Sequence, residues 1–195
     1  MRLHTIDTGR WCAAAAGLLL LVVPVGAQVT PAPPATTAAP ATVARAADVA
    51  SIDAIIAAIY DVISGPAGAA RDWDRFRSLF VAGARLIPTG KTPEGTPRIR
   101  VGDVEAYITM SGPALVKNGF FEREIGRQTE RFGNIAHVFS TYDSRRAATD
   151  AAPFARGINS IQLYFDGTRW WVVTILWDSE REGNPIPAGY LAPRG

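Results

Sequence analysis

Thiol chemistry is almost absent from this chain: its 195 residues include one cysteine, Cys12. That cysteine falls in an N-terminal segment that reads as an export signal, so cleavage would leave no thiol at all. Disulfides, thiolate catalysis and cysteine-ligated metals are then excluded together, which suits an oxidising compartment. Histidine is nearly as scarce, with only His4 and His137. One imidazole in the cleaved chain is a poor metal ligand set, and neither a metal nor a cofactor is expected. No apolar run reaches the roughly 20 residues that span a bilayer, and no internal repeat is present. Clustered positive charge is missing too. Losing the signal takes Arg2, Arg10 and Asp7 from 20 basic and 18 acidic residues, leaving 18 against 17 and a net charge of +1. The basic residues are scattered among acids, so a nucleic-acid-binding surface is not expected.

What is present starts with the signal. Arg2 and Arg10 supply positive charge, Trp11 to Gly26 is almost wholly apolar, and Val25, Gly26 and Ala27 make a small-residue cleavage site before Gln28. Residues 1–27 are therefore expected to direct export, to a periplasm or to the medium, with no stable membrane span after cleavage; a retained anchor is the alternative. Residues 28–47 are Pro, Ala and Thr with almost no charge, cannot bury enough surface to offset chain entropy, and read as a linker. Residues 48–195 have the size of one domain.

Within that domain, Ile52, Ile55, Ile56, Ile59, Tyr60 and Ile63 recur at helical spacing, which predicts a helix starting at Asp48 or Ser51 and stopped by Gly65 and Pro66. Asp72 is placed to cap a second helix whose inner side carries Trp73, Phe76, Leu79 and Phe80. Short strands are expected at 84–87 and 98–101, then a third helix capped by Asp103, carrying Tyr107, broken at Gly112 and Pro113 and ended by Gly119. From Phe120 onward the pattern is β: an alternating strand to Arg131, a turn at 132–134, a return to Arg145, and a closing hairpin, RGINSIQLYFDGTRWWVVTILWDSE, that is apolar on both faces. This order makes an α+β protein.

If Asp166 and Gly167 form a two-residue turn, Leu163 faces Trp170, Ile161 faces Val172 and Asn159 faces Thr174 on one side. Tyr164, Gln162, Ile158, Trp171, Val173, Ile175 and Trp177 then lie on the other. Helices cover one face only, so the second predicts a homodimer; coverage by the tail 184–191 is the alternative.

DWDRFRSLF, ARLI, FGNIAHVFSTYD and DGTRWWVV, in this order, resemble the nuclear transport factor 2-like superfamily, the cone-shaped fold of ketosteroid isomerase, scytalone dehydratase and small polyketide cyclases. More closely, the chain resembles a group of exported bacterial members without an assigned activity. The resemblance implies three N-terminal helices packed on a curved antiparallel sheet, enclosing a pocket. Trp73, Phe76, Phe80 and Tyr107 would form its helical wall, opposite Trp170, Val172, Ile161 and Leu163; the plainer alternative is that all of them fill a solid core. Asn159 and Thr174 break the apolar pattern of this lining and must pair with each other, with backbone or with a ligand.

For catalysis the weak candidates are His137, Glu122, Glu124 and Tyr142. His137 needs a neighbouring acid for proton transfer, and the preceding strand offers Glu122 and Glu124 across a short turn. Alternating charges from Glu122 to Arg131 are explained more simply by cross-strand salt links on a solvent-facing or rim strand. The acidic base that isomerase-like members carry after the first short strand is missing, since Leu86, Ile87, Pro88 and Thr89 stand there, and one histidine cannot supply the dehydratase constellation. The expectation is an exported protein that binds a small apolar molecule. A lyase or isomerase acting on a small hydrophobic substrate is one alternative, and a non-catalytic protein-interaction module is another.

Overall fold

The computed structural model describes residues 43–191; the expected signal and the linker as far as residue 42 lie outside the described residues. Four helices precede or interrupt the sheet: α1 (Ala46–Val49), α2 (Ile52–Ile63), α3 (Trp73–Ser78) and α4 (Val104–Asn118). The strands are β1 (Phe80–Lys91), β2 (Pro97–Ile99), β3 (Phe121–Phe132), β4 (Ile135–Arg145), β5 (Ala155–Phe165) and β6 (Trp170–Ser179), and a short 3-10 turn spans Ala188–Tyr190. Among the described residues no helix is long and apolar enough to cross a membrane.

Helix starts follow side-chain chemistry. Ser51, Asp72 and Asp103 each accept a bond from the backbone N–H three residues on, at 3.0, 2.9 and 2.8 Å, satisfying donors the first turn leaves free. The isoleucine stripe of α2 is buried from Ile55 to Ile63. Arg75 ties three helices together, gripping Asp48 with two bonds of 2.7 and 2.9 Å and reaching Asp61.

One sheet carries all six strands in the order β2-β1-β6-β5-β4-β3. Its pairings are antiparallel except between β1 and β6, which run parallel, so the sheet is mixed and not the purely antiparallel one expected. Only α1, α2 and α3 are N-terminal to the sheet; α4 follows β2. It also runs unbroken through Gly112 and Pro113. Gly112 is there for space: a Cβ would sit 3.1 Å from the Trp73 ring, so the missing side chain lets α3 lie against α4. Gly119 ends α4 at φ +69°, a conformation that favours glycine.

Residues 166–169 make a four-residue turn closed by Asp166, whose carboxylate accepts from the Thr168 and Arg169 amides at 2.7 and 2.8 Å and from Trp171 Nε1 at 2.6 Å. Leu163 therefore pairs with Val172, and a bulge after it sets Ile161 opposite Ile175 and Asn159 opposite Trp177. The two-residue turn expected above is corrected, and with it the faces: Ile175 and Trp177 point to the helices, while Thr174 moves to the outer face opposite Gln162. That outer face keeps one tryptophan, Trp171, with the Arg169 guanidinium 3.6 Å above its ring. The tail crosses part of the same face, where Thr141 Oγ1 donates to Tyr190 O at 2.7 Å and Tyr190 packs 5.2 Å from Phe139.

Candidate functional site

Between the inner face of the sheet and α2, α3 and α4 lies a cavity of about 260 Å³. It exceeds the roughly 150 Å³ apolar void that admits a benzene-sized guest. One wall is a row of rings: Phe76 stacks on Tyr107 at 5.3 Å, and Tyr107 meets Trp177 edge-on at 6.3 Å. Phe120 and Phe154, 6.2 Å apart, close the opposite side. Aliphatic lining comes from Ile59, Ile63, Leu115 and Ile175. Among the described residues no Lys, Arg or His borders the void, and its one ionisable carboxyl is Glu122.

Glu122 is positioned by the start of its strand. Its backbone N–H donates to Ser64 Oγ at 3.0 Å, and Gly65 pairs with Phe120 through bonds of 2.7 and 3.0 Å. This fastens the end of α2 to the start of β3. The Glu122 side chain points inward beside Ser144, its neighbour in register, whose hydroxyl donates to Oε2 at 2.8 Å. Burial pushes the pKa of this carboxyl up to about 7, against hydrogen bonds from Ser144 and Asn159 that pull it down, while the Asp143 charge adds to the rise. In turn the Glu122 charge reinforces the upward shifts that burial gives Tyr60, Tyr107 and Tyr142, the last reaching about 12.

Asn159 belongs to a buried polar chain. Its Nδ2 donates to Tyr60 Oη at 3.1 Å, Tyr60 Oη lies 2.7 Å from Ser140 Oγ, and Ser140 donates to Glu124 Oε1 at 2.6 Å. Ser140 has one proton and gives it to Glu124, so Tyr60 must donate to Ser140 and accept from Asn159. Glu124 is held by Arg127 in a two-bond grip of 2.7 and 2.8 Å, and Arg127 also reaches Asp53. The charges of β3, an edge strand of the sheet, are thus partly internal: Glu122, Glu124 and Arg127 face the helices, while Arg123 makes a cross-strand link to Asp143 on the other face. The sequence held the signal in the pattern Glu-Arg-Glu at 122–124, which puts both acids on the face opposite Arg123.

Of the expected pocket residues, Phe76, Tyr107 and Asn159 line the cavity, as do Glu122 and Tyr142. Trp73, Phe80, Trp170 and Thr174 do not. Trp73 lies against Gly112, Phe80 is packed on Phe76 at 4.8 Å, and Trp170 sits at the far end of the core under Arg131. Val172, Ile161 and Leu163 are fully enclosed core. His137 is on the outer face, opposite Glu130 and 2.9 Å from Ser160 Oγ. The sheet separates it from Glu122 and Glu124, so the expected acid–imidazole pairing is not formed. Leu86, Ser111, Ser144, Ile175 and Trp177 enter the lining unforeseen. Among the described residues no group of three or more His, Cys, Asp or Glu is arranged to hold a metal.

Helices on one face of a mixed six-stranded sheet in this order are consistent with the nuclear transport factor 2-like fold that the sequence resembles. Among solved structures, a protein of unknown function with a cystatin-like fold from Nostoc punctiforme matches with a TM-score of 0.50 at 11% identity, over 66% of this chain and 88% of that one. A nuclear transport factor 2-like protein of unknown function from Silicibacter pomeroyi matches with a TM-score of 0.46 at 16% identity, over 67% and 94%. Another such protein, from Shewanella baltica, gives 0.39 at 14% identity, over 67% and 98%. No family model matches the chain, and no curated protein does. At these identities the likeness is one of fold, and a fold alone assigns no activity.

Proposed function

We propose that this chain is an exported protein that binds a small, largely apolar molecule in the cavity between its helices and its sheet. The observation that carries this reading is a void walled by rings and aliphatic side chains with a single carboxyl inside it. Export rests on the N-terminal sequence. A homodimer through the uncovered part of the outer sheet face is part of the same reading, because Ile135, Tyr164 and Leu176 stand exposed there. A second reading, an isomerase or lyase, is favoured by one observation: a carboxyl, Glu122, lines the void, and burial pushes its pKa up to about 7, where a carboxyl exchanges protons most usefully.

Native mass spectrometry of the intact protein, compared with a Ser111→Trp variant that fills the cavity from α4, tests the reading. The expected spectrum is a dimer carrying a small-molecule adduct that the variant loses. An empty wild-type protein that also fails to take up 2-phenylethanol would contradict the binding claim. An adduct on a monomer would remove the dimer alone.

A further inference from the structure

The cavity's charge is as informative as its shape. Among the described residues Glu122 is the only formally charged group on its lining, and no Lys, Arg or His shares that lining. The groups facing it are Tyr60 from α2, Tyr107 from α4, Tyr142 and Ser144 from β4 and Asn159 from β5, with Asp143 behind on the outer face of β4. Asp143 is itself held by Arg123 at 3.0 Å and Arg145 at 2.9 Å. Those two guanidiniums are therefore spent on the far side of the sheet. Ionised, the Glu122 carboxylate has about four acceptor sites; Ser144 and Asn159 use two, and the residue lines the void.

Phe76, Tyr107 and Trp177 present a continuous aromatic wall to the same void. Ring faces carry negative potential and attract cations, most strongly where water is excluded. A carboxylate and a row of rings lining one open-mouthed pocket share a preference for one sign of ligand. We propose that the cavity takes a small hydrophobic amine, whose ammonium meets the Glu122 carboxylate while its apolar body lies along Phe76, Tyr107 and Trp177. This rests on the binding reading above and sharpens it to one chemical class. It also fixes the pH response, since an ammonium needs the ionised carboxylate whereas a carbonyl ligand needs its protonated form.

Three probes of matched size decide it: 2-phenylethylamine, 2-phenylethanol and phenylacetate, titrated calorimetrically into the intact chain at pH 5.5 and pH 8. The amine is expected to bind at least tenfold more tightly than the alcohol at pH 8, to lose most of that advantage at pH 5.5, and to release protons near pH 6.5. Phenylacetate is expected to bind weakest at pH 8. Glu122→Gln should cost the amine at least tenfold and change the alcohol by less than threefold. Alcohol binding equal to amine binding at pH 8, or an amine affinity that falls with rising pH, overturns the amine proposal and leaves the apolar pocket standing. Failure of all three probes overturns both. The pH comparison uses the unmodified protein, so it holds even if the variant folds poorly.

Discussion

At pH 8 the Glu122→Gln variant is expected to be more stable than the parent chain by about 2 kcal/mol, and at pH 4, where no ionisation is avoided, less stable by about 1 kcal/mol. The sign follows from where the proton is held more tightly. The carboxyl titrates near 7 in the folded chain against 4.5 when unfolded, so the folded state is the better proton acceptor. Below pH 4.5 both states are protonated and nothing is lost. Between 4.5 and 7 the unfolded chain ionises first, and stability falls as pH rises; above 7 the loss is complete. Across that window the loss is about 3 kcal/mol, since every pH interval of one between the two midpoints contributes about 1.4 kcal/mol. Glutamine keeps the shape and avoids the ionisation, while its amide N–H₂ meets a donor where the carboxylate met Ser144 or Asn159, which takes back part of the gain. Urea unfolding of both proteins at the two pH values measures it. A variant less stable at pH 8 would contradict the description of Glu122 as a carboxyl without a cationic partner. A group that lowers stability at neutral pH is what a binding or reacting site tolerates and a packing core does not.

Arg71→Ala is expected to destabilise the chain by on the order of 4 kcal/mol, with Arg71→Lys recovering less than half. Arg71 is buried and donates only to carbonyls: Ile63 O at 2.9 Å, Ala69 O at 2.5 Å, Gly65 O at 2.7 Å and Leu115 O at 3.1 Å. The planar guanidinium joins the end of α2, the loop after it and the end of α4 in one set of bonds. Lysine has the charge but not the fork. Gly65 belongs to the arrangement, since a Cβ there would lie 2.7 Å from Arg71 Nη1. Gly65 in turn pairs with Phe120 beside Glu122, so the loss should reach the cavity. Thermal unfolding of the two variants checks the size, and a change under about 1 kcal/mol for alanine would show that water replaces the guanidinium without cost.

Local chemistry was the legible part of the fold. Ser51, Asp72 and Asp103 declare their helices because a short polar side chain before an apolar stripe has one use there, and the α2 stripe has a single period. Pro113 misled because its missing N–H and fixed φ argue for a break, yet α4 runs through it, with buried Gly112 seating Trp73 at that point. Pairing in the closing hairpin was illegible for a different reason: Asp166 gathers four backbone and side-chain donors around a four-residue turn, and a bulge near Val173 then reverses the remaining residues. That one inserted residue carries Trp177 into the cavity and Thr174 out of it. Asn159 could be found, because an amide in an apolar run must be paired. Glu122 was visible only as a weak candidate, because charge alternation on a strand reads as salt links until Ser64, Ser144 and Asn159 are seen to hold it inside.

Ligand choice and pH response alike depend on an acid enclosed by rings and aliphatic groups, with no cation of its own. Carbon-13 NMR of the intact protein labelled at glutamate side chains, with Glu122→Gln used to assign the resonance, follows that carboxyl directly through pH 4 to 9. A midpoint near 7, moving down when 2-phenylethylamine is added and staying put with 2-phenylethanol, is the predicted result. A midpoint near 4.5 that no probe disturbs would contradict it.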